Sequence, residues 1–157
     1  MSAGRREATA DWLMVFGGLA LVVSLFLPWS HQLPASVLAQ YGATAALAGV
    51  PRNPDAWQLY SAVDVLLALL AGGLLVAALR GGRVWRGILL VGLLIAVAFT
   101  LHALSSPPTN GVNLYDPSLA PPGYTPTSPG AGRGETLALI AIGLGLGGLL
   151  LSFTADY

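Results

Sequence analysis

Four stretches of the chain are apolar for long enough to cross a membrane as α-helices. They cover residues 12–29, 56–80, 84–104 and 135–153, and a spanning helix needs about 20 largely apolar residues to cross roughly 30 Å of hydrocarbon. The segments 30–54 and 105–134 contain no comparable run. The pattern therefore predicts an all-α fold: a four-transmembrane-helix bundle, built as a single membrane domain over residues 1–157, with two long extracytoplasmic loops.

Local signals set the expected ends of these helices. Pro28 lacks a backbone donor and clashes with the preceding turn, so the first helix should kink or end there. Asp55 can cap the second helix, with Gln58 reaching back, which starts that helix at Ala56. Glycines at 81 and 82 allow a tight hairpin into the third helix.

The two loops differ in composition. The segment Val37 to Leu47 has rough helical spacing of its apolar residues, which is compatible either with a short helix along the membrane surface or with a plain loop. The second loop carries seven of the eleven prolines, a composition typical of an extended segment rather than a packed element.

The distribution of arginine predicts orientation. Five arginines flank the amino terminus and the turn between helices two and three, whereas the other two loops hold only Arg52 and Arg133. Because positive residues favour the cytoplasmic side, both termini should be cytoplasmic and the two long loops should face outward. Four tryptophans fall near the expected helix ends and are predicted to anchor the membrane interface: Trp12, Trp29, Trp57 and Trp85.

Composition narrows the class of protein further. Only 9% of residues are charged, against roughly 25% in soluble proteins, which supports an integral membrane protein whose first partner is the lipid bilayer. The net charge is zero and no basic run exists, so we expect no nucleic-acid partner. The chain has no cysteine, which excludes thiol redox chemistry. All seven basic residues are arginine and Ala, Gly and Pro abound, which suggests a GC-rich bacterial genome and hence a bacterial plasma membrane.

Short motifs in the first half of the chain resemble a known pattern. Leu27-Pro28-Trp29 at the end of the first helix, followed by Ala56-Trp57, Ser61 and Asp64, resembles a pattern in uncharacterised four-helix integral membrane proteins of actinobacteria. The resemblance implies the four-helix membrane fold. It implies no function.

Asp64 is the only carboxylate expected well inside a spanning segment. Placed about two turns into the second helix, it would share a face with Ser61 and Ala68, where another helix can approach closely. An intramembrane carboxylate costs about 2.5–3.5 kcal/mol at the bilayer centre, so it usually has a partner or a function. Two interpretations stay open: a structural acid hydrogen-bonded to Ser61, a backbone amide or a neighbouring helix, or a binding group for a proton or cation.

The two histidines, His31 and His102, are further candidate ligands. His102 should lie at a depth similar to that of Asp64, where the two could form a proton relay, or it could simply face water at the interface. His31 and His102 could also bracket a haem or, with Asp64 and Glu135, hold a divalent ion. Their spacing carries no ligand signature, so we expect no cofactor and no metal.

The remaining candidates have structural explanations. Glu135 begins the fourth helix, where a carboxylate complements the positive end of the helix dipole. Small residues in the second and fourth helices would let helices pack closely, with Gly143 and Gly147 at the spacing of a packing pair. They are Ala68, Gly72, Gly73, Gly143, Gly145, Gly147 and Gly148. Packing within the bundle accounts for them, although they could equally serve a second copy or another protein.

Together these patterns favour a non-enzymatic tetraspan membrane protein, an accessory or scaffold subunit that engages a protein partner, or a second copy in a homo-oligomer, through its helices and outer loops. The alternative is a small transporter or ligand-binding membrane protein that uses Asp64, with Ser61 and His102, as a cation or proton site. No catalytic residue is predicted, since no Ser-His pair or carboxylate cluster shares a depth in the predicted helices.

Overall fold

A computed structural model describes residues 3–31, 53–60, 62–80, 82–107 and 130–155. The segment that includes Val37 to Leu47 and most of the proline-rich loop lie outside the described residues, and so does Ser61. The elements in chain order are α1 (Ala3–Leu25), β1 (Ser30–His31), α2 (Ala56–Leu59), α3 (Val63–Arg80), α4 (Arg83–Ser105), β2 (Gly130–Ala131) and α5 (Arg133–Ala155).

Four of these helices, α1, α3, α4 and α5, are long and apolar enough to cross a membrane. Each contains at least 18 residues, or at least about 27 Å at 1.5 Å per residue, which matches the thickness of a bilayer core. Many of their large apolar side chains, among them Leu69, Leu79 and Ile95, are exposed on the surface of the bundle, as lipid contact requires. The prediction of four helices long and apolar enough to span a membrane is confirmed, and these helices support a multi-pass membrane protein.

Helix α1 lies at the centre of the bundle, with its most extensive contacts to α5 and then to α3. The contact with α5 is close enough to involve backbone: a Cβ at Gly17 would lie 2.8 Å from the backbone nitrogen of Gly145, and one at Gly148 would lie 2.8 Å from the carbonyl oxygen of Ala10. Residue numbers therefore rise along α1 as they fall along α5, and the two helices are antiparallel.

Helices α3 and α4 form an antiparallel hairpin. A Cβ at Gly73 would meet Leu89 at 2.6 Å, and one at Gly92 would meet Leu70 at the same distance. The up-and-down order places both chain termini at one end of the bundle. We call it the arginine end, because it carries Arg5, Arg6, Arg80, Arg83 and Arg86; the opposite end, where α3 and α5 begin, is the carboxyl end.

The predicted helix over 56–80 is wrong in one respect: it is two helices. Asp55 caps α2 as expected, accepting a hydrogen bond from the backbone N–H of Gln58 at 3.0 Å. Tyr60 then adopts an extended conformation, with φ −132° and ψ 113°, and ends α2 after a single turn. The spanning helix α3 starts only at Val63, because the extended backbone at Tyr60 interrupts the run of helical hydrogen bonds.

The first helix is also shifted from its predicted bounds. It begins at Ala3 rather than near residue 12, so Arg5 and Arg6 are helical, and it ends at Leu25. The end falls before Pro28, as the loss of a backbone donor at that residue predicts.

The glycines predicted to pack the bundle fall into two groups. A Cβ at Gly72, Gly143 or Gly147 would meet nothing within 4 Å, and all three residues are exposed, so the prediction is wrong for them. Ala68 packs against the core as predicted. The close contacts fall on Gly73, Gly145 and Gly148 of the predicted set, and also on Gly17, Gly18 and Gly92. Spacing alone identified small-residue stripes on α3 and α5 but not the stripe that faces another helix.

Candidate functional site

Three separate segments of the chain form a small cap over the carboxyl end of the bundle. We define the cap as residues 28–31, 53–60 and 130–134. The strands β1 and β2 pair antiparallel, with Ser30 opposite Ala131, and the backbone N–H of Trp29 donates to the carbonyl of Pro54 at 2.9 Å. The N–H of Gly134 donates to the carbonyl of Pro28 at 2.8 Å. The segment after α1 is thus held between the start of α5 on one side and the approach to α2 on the other.

Trp29 is the central side chain of the cap, and its predicted role as an interface anchor is wrong. Its exposed fraction is 0%, whereas Trp12, Trp57 and Trp85 are 61%, 42% and 44% exposed. The Trp29 indole N–H donates to the carbonyl of Ser24 at 2.8 Å, and its ring lies 6.0 Å from that of Tyr60 at an edge-to-face angle of 76°. An indole whose single donor is used inside the protein is a packing residue. The other three tryptophans have the exposure that an anchor needs, and their role stays a prediction.

Asp64 lies beneath this cap. It belongs to the first turn of α3 and is 0% exposed. Neither carboxylate oxygen has a hydrogen-bond partner among the residues that the structure describes. The sequence placed Asp64 two turns inside a helix, but the break at Tyr60 brings it to the helix start, where the dipole favours a negative charge.

Glu135 is a second buried carboxyl at the same end. It occupies the first turn of α5, its exposed fraction is also 0%, and neither side-chain oxygen has a hydrogen-bond partner within the described ranges. A carboxylate that merely complements a helix dipole normally keeps one face in water. The explanation offered from sequence is therefore insufficient for this residue.

Tyr60 lies within electrostatic range of both carboxyls. Its pKa is raised from 10.0 to about 12, first by burial and then by the negative charges of Glu135 and Asp64. The ring also makes an edge-to-face contact with Phe99, with centroids 5.1 Å apart. At neutral pH the phenol keeps its proton and remains a hydrogen-bond donor. We call Tyr60, Asp64 and Glu135 the carboxyl site.

The chemistry of the carboxyl site follows from the burial of Asp64 and Glu135 without hydrogen-bond partners in the described residues. Removing an ionised carboxylate from water costs far more than removing a neutral carboxyl, unless a positive charge or several donors compensate. Within the described part of the chain neither Asp64 nor Glu135 forms a hydrogen bond. The backbone N–H of Gly132 acts on Glu135 electrostatically, but it donates its hydrogen bond to the carbonyl of Trp29. A group in this situation lowers its free energy by holding a proton. The site is therefore suited to proton uptake.

The other predicted site residues are not brought to Asp64. His102 lies in the last turn of α4 with an exposed side chain, and the proposed relay is wrong as a direct contact, because Asp64 has no hydrogen-bond partner in the described residues. His31 is exposed and shares a 2.7 Å hydrogen bond with Asn53. Ser61 lies outside the described residues. Among those residues no group of three potential metal ligands exists.

Beyond the site, toward the arginine end, the buried core is apolar. Leu21, Leu67, Leu74 and Leu93 are wholly or almost wholly buried. The buried hydroxyls in the described helices, Ser24, Thr100 and Ser152, each donate to a carbonyl of their own helix. Among the described residues, Asp64 and Glu135 are the only fully buried ionisable side chains. The carboxyl site therefore has no described polar path across the bundle.

Sequence reasoning missed Tyr60 and Ser30 as members of this region, and it placed Glu135 beside Asp64 only as a possible metal ligand. The hydroxyl of Ser30 is also buried without a partner in the described chain. A signal for Glu135 did exist: in an up-and-down bundle the second and fourth helices begin at the same end, so Asp64 and Glu135 had to share it. Ser30 carried no signal, because its burial depends on a strand pairing with residues 100 positions away.

Comparison with protein-family models, with curated proteins and with solved structures finds no match to this chain.

Proposed function

We propose that this chain is a non-enzymatic tetraspan membrane protein that binds protons at the carboxyl site, on the side of the membrane where α3 and α5 begin. The observation that carries the proposal is the complete burial of Asp64 and Glu135 without a hydrogen-bond partner in the described residues. In the orientation that the arginines favour, this side is the outer face of a bacterial plasma membrane and both termini are cytoplasmic.

A purely structural role does not account for these two acids. A structural buried carboxyl is normally satisfied by hydrogen bonds or by a cation, since an unpaired one destabilises the fold. Asp55 illustrates the structural case in the same chain, because its carboxylate accepts the Gln58 N–H and caps α2. Asp64 and Glu135 lack such partners in the described chain, so we assign them to ligand binding.

A proton is a better ligand than a metal cation. Each carboxyl lies in the first turn of a helix, whose positive end opposes any added positive charge, so the choice between a proton and a metal cation depends on the ligands that each requires. A proton neutralises the carboxyl and requires no further ligands, whereas a hard cation needs about six oxygen ligands. The described residues offer no cluster of three acidic or histidine side chains.

The apolar core favours binding over transport. A transporter keeps ionisable groups near the midplane and opens its site to both sides. Both buried carboxyls lie instead at one end of the bundle, and the described core beyond them contains Leu74, Leu93 and Ile142. Proton uptake would then change the charge beneath the cap without carrying a proton across the membrane.

The variants Asp64→Asn and Glu135→Gln test whether the acids are structural. Both preserve shape and remove titration, and neither breaks a hydrogen bond in the described chain. The proposal expects both variants to unfold in detergent at the parent's midpoint temperature or above. A loss of more than about 2 kcal/mol would identify the acids as structural, because that is the typical cost of breaking a buried polar pair. Asp55→Ala, which removes the cap of α2, is the control and should cost about 1 kcal/mol.

A second candidate function is an accessory or scaffold subunit that engages a protein partner or a second copy. The observation that favours it is the exposed position of Gly143 and Gly147, four residues apart on α5, with nothing within 4 Å of a Cβ at either. A glycine pair at this spacing supports close helix association in membranes. The two candidate functions are compatible, since the glycines face away from the bundle.

The double variant Gly143→Leu/Gly147→Leu tests this candidate. In mild detergent, followed by mass spectrometry of the co-purified proteins, the parent should retain a stoichiometric partner or a second copy that the variant loses. Gly87→Leu, which also meets open space but lies on α4, is the control and should retain it. A parent that purifies as a single chain, or equal loss from the control, would contradict the scaffold function.

A further inference from the structure

A groove runs along the hairpin of α3 and α4. It ends beside the carboxyl site, at Val63 and at Phe99, whose ring contacts Tyr60. It encloses about 390 Å³. Every residue that lines it is apolar, and those that define its course are Leu66, Leu70, Trp85, Ile88, Gly92 and Phe99. Along α4 it extends from Trp85 to Phe99, which is about 21 Å at 1.5 Å per residue. The absence of a side chain at Gly92, where a Cβ would meet Leu70 at 2.6 Å, deepens it.

The groove faces the lipid side of the hairpin. Leu66 and Ile88, which line it, are 59% and 57% exposed. The groove, at about 21 Å, is longer than one leaflet of the bilayer, which is half of a hydrocarbon core of roughly 30 Å. An extended hydrocarbon chain parallel to the helices would therefore fit its shape and chemistry.

One end of the groove leads to the arginine end of the bundle. Trp85 lines the groove and is 44% exposed, and it lies between Arg83 and Arg86 in the chain. Arg80 ends α3 at the same turn. An apolar channel that leads to three arginines is complementary to a lipid with an anionic headgroup.

Arg86 supplies the most specific part of this arrangement. It is half-buried, and its Nε has no hydrogen-bond partner in the described residues. Asp11 of α1 lies within electrostatic range, so Arg86 is partly balanced by one acid, while Arg80 adds a further positive charge at the end of α3. A phosphate group would neutralise this excess, and arginine binds phosphate oxygens with strong, charge-assisted hydrogen bonds.

We infer that the groove between α3 and α4 binds one acyl chain of an anionic phospholipid, whose phosphate lies against Arg80, Arg83 and Arg86. This inference does not rest on the proposed proton binding, since the carboxyl site lies at the opposite end of the bundle from these arginines. A general preference for any lipid would follow from the apolar surface alone. The inferred site makes a narrower prediction than this general preference. The bound lipid should stay with the protein during purification, should have an anionic headgroup and should depend on these arginines.

Native mass spectrometry tests the inference after reconstitution in vesicles of equal anionic and zwitterionic phospholipid with identical acyl chains. We expect the parent to retain about one anionic lipid per chain. The double variant Arg80→Gln/Arg86→Gln should retain about 25-fold less of it, since each arginine near a membrane surface contributes about 1 kcal/mol of attraction and each 1.4 kcal/mol is a factor of ten. The control Arg5→Gln/Arg6→Gln removes two charges from the same end but from α1, and should reduce retention less than about twofold.

A second pair of variants tests the groove itself. Leu66→Trp fills it, while Ile140→Trp makes the same change at a position on α5 that is exposed to a similar degree. We expect the first variant to lose the retained lipid and the second to keep it, with both chains monodisperse and helical by circular dichroism. Equal retention of zwitterionic lipid by the parent, equal losses from both arginine pairs, or full retention by Leu66→Trp would each overturn the inference.

Discussion

The indole of Trp29 lies directly against the backbone of Gly134, so closely that a Cβ added at Gly134 would approach its Nε1 to 2.6 Å. The contact joins the end of the first membrane helix to the start of the last one. It is accompanied by the hydrogen bond from the Gly134 N–H to the Pro28 carbonyl at 2.8 Å. Glu135 follows immediately in the chain, so this contact also fixes where its carboxyl enters the bundle.

Replacement of Gly134 by alanine should therefore destabilise the protein. The new methyl group would have to displace a wholly buried indole whose N–H is already engaged by Ser24, and such overpacking typically costs about 1–3 kcal/mol. Gly143→Ala is the matched control on the same helix, where a Cβ meets open space. It should leave stability unchanged or raise it slightly, because alanine favours helix more than glycine does. Thermal unfolding in detergent measures both, and equal midpoints would show that the contact does not exist.

The ionisation of Tyr60 gives a second prediction. Burial and the neighbouring carboxyls raise its pKa to about 12, so in the folded protein it should lose its proton well after an ordinary tyrosine. Absorbance of tyrosinate as a function of pH should show a late component from one of the five tyrosines, and Tyr60→Phe should remove that component.

The same shift has a consequence for stability. Because the folded pKa lies above the unfolded one, the contribution of Tyr60 is complete below about pH 10 and is lost as the pH rises through about 12. The parent should lose stability across this window, and Tyr60→Phe should lose less. In the absorbance titration, the component that Tyr60→Phe removes should be the late one. If the removed component titrates near pH 10 instead, the pKa of Tyr60 is not raised and the carboxyls do not act on it.

The orientation of the bundle gives a third prediction, and the absence of cysteine makes it simple to test. Ser106 is exposed just beyond α4, at the carboxyl end, whereas Thr154 is exposed near the end of α5, at the arginine end. If the arginines lie in the cytoplasm, a membrane-impermeant maleimide applied to intact cells should label Ser106→Cys and leave Thr154→Cys unmodified until the membrane is opened. The reverse labelling would invert the topology.

The membrane architecture was predictable because it depends on short-range information. Apolar runs of sufficient length determine the number of spans, and local signals such as Pro28 and Asp55 determine several of their ends. The break at Tyr60 was not predictable from these signals. Nothing in the local sequence opposes a helix through residues 56–80, and the extended conformation of Tyr60 accompanies contacts with Trp29 and Phe99, which are distant in the chain.

The candidate site was predictable only in part. Asp64 is identifiable because a carboxylate in an apolar run is rare, but depth alone does not decide whether His102 or Glu135 is its neighbour. The buried face of a helix depends on how the helix is rotated against its neighbours, which local sequence does not specify. In the bundle the side chain of His102 is exposed and that of Glu135 is buried. For the same reason, spacing does not separate the exposed Gly143 and Gly147 from the packed Gly145 and Gly148.

The central claim is that Asp64 and Glu135 hold exchangeable protons, and infrared difference spectroscopy of the reconstituted protein during a pH titration tests it most directly. We predict a protonated-carboxyl band that persists above about pH 5, where ordinary exposed carboxyls are ionised, that is lost reversibly as the pH rises further, that decreases in Asp64→Asn and in Glu135→Gln, and that disappears in the double variant. Should the parent show no protonated carboxyl above this pH, or one that never titrates, or should the double variant keep the band, the assignment of proton binding to this site is wrong.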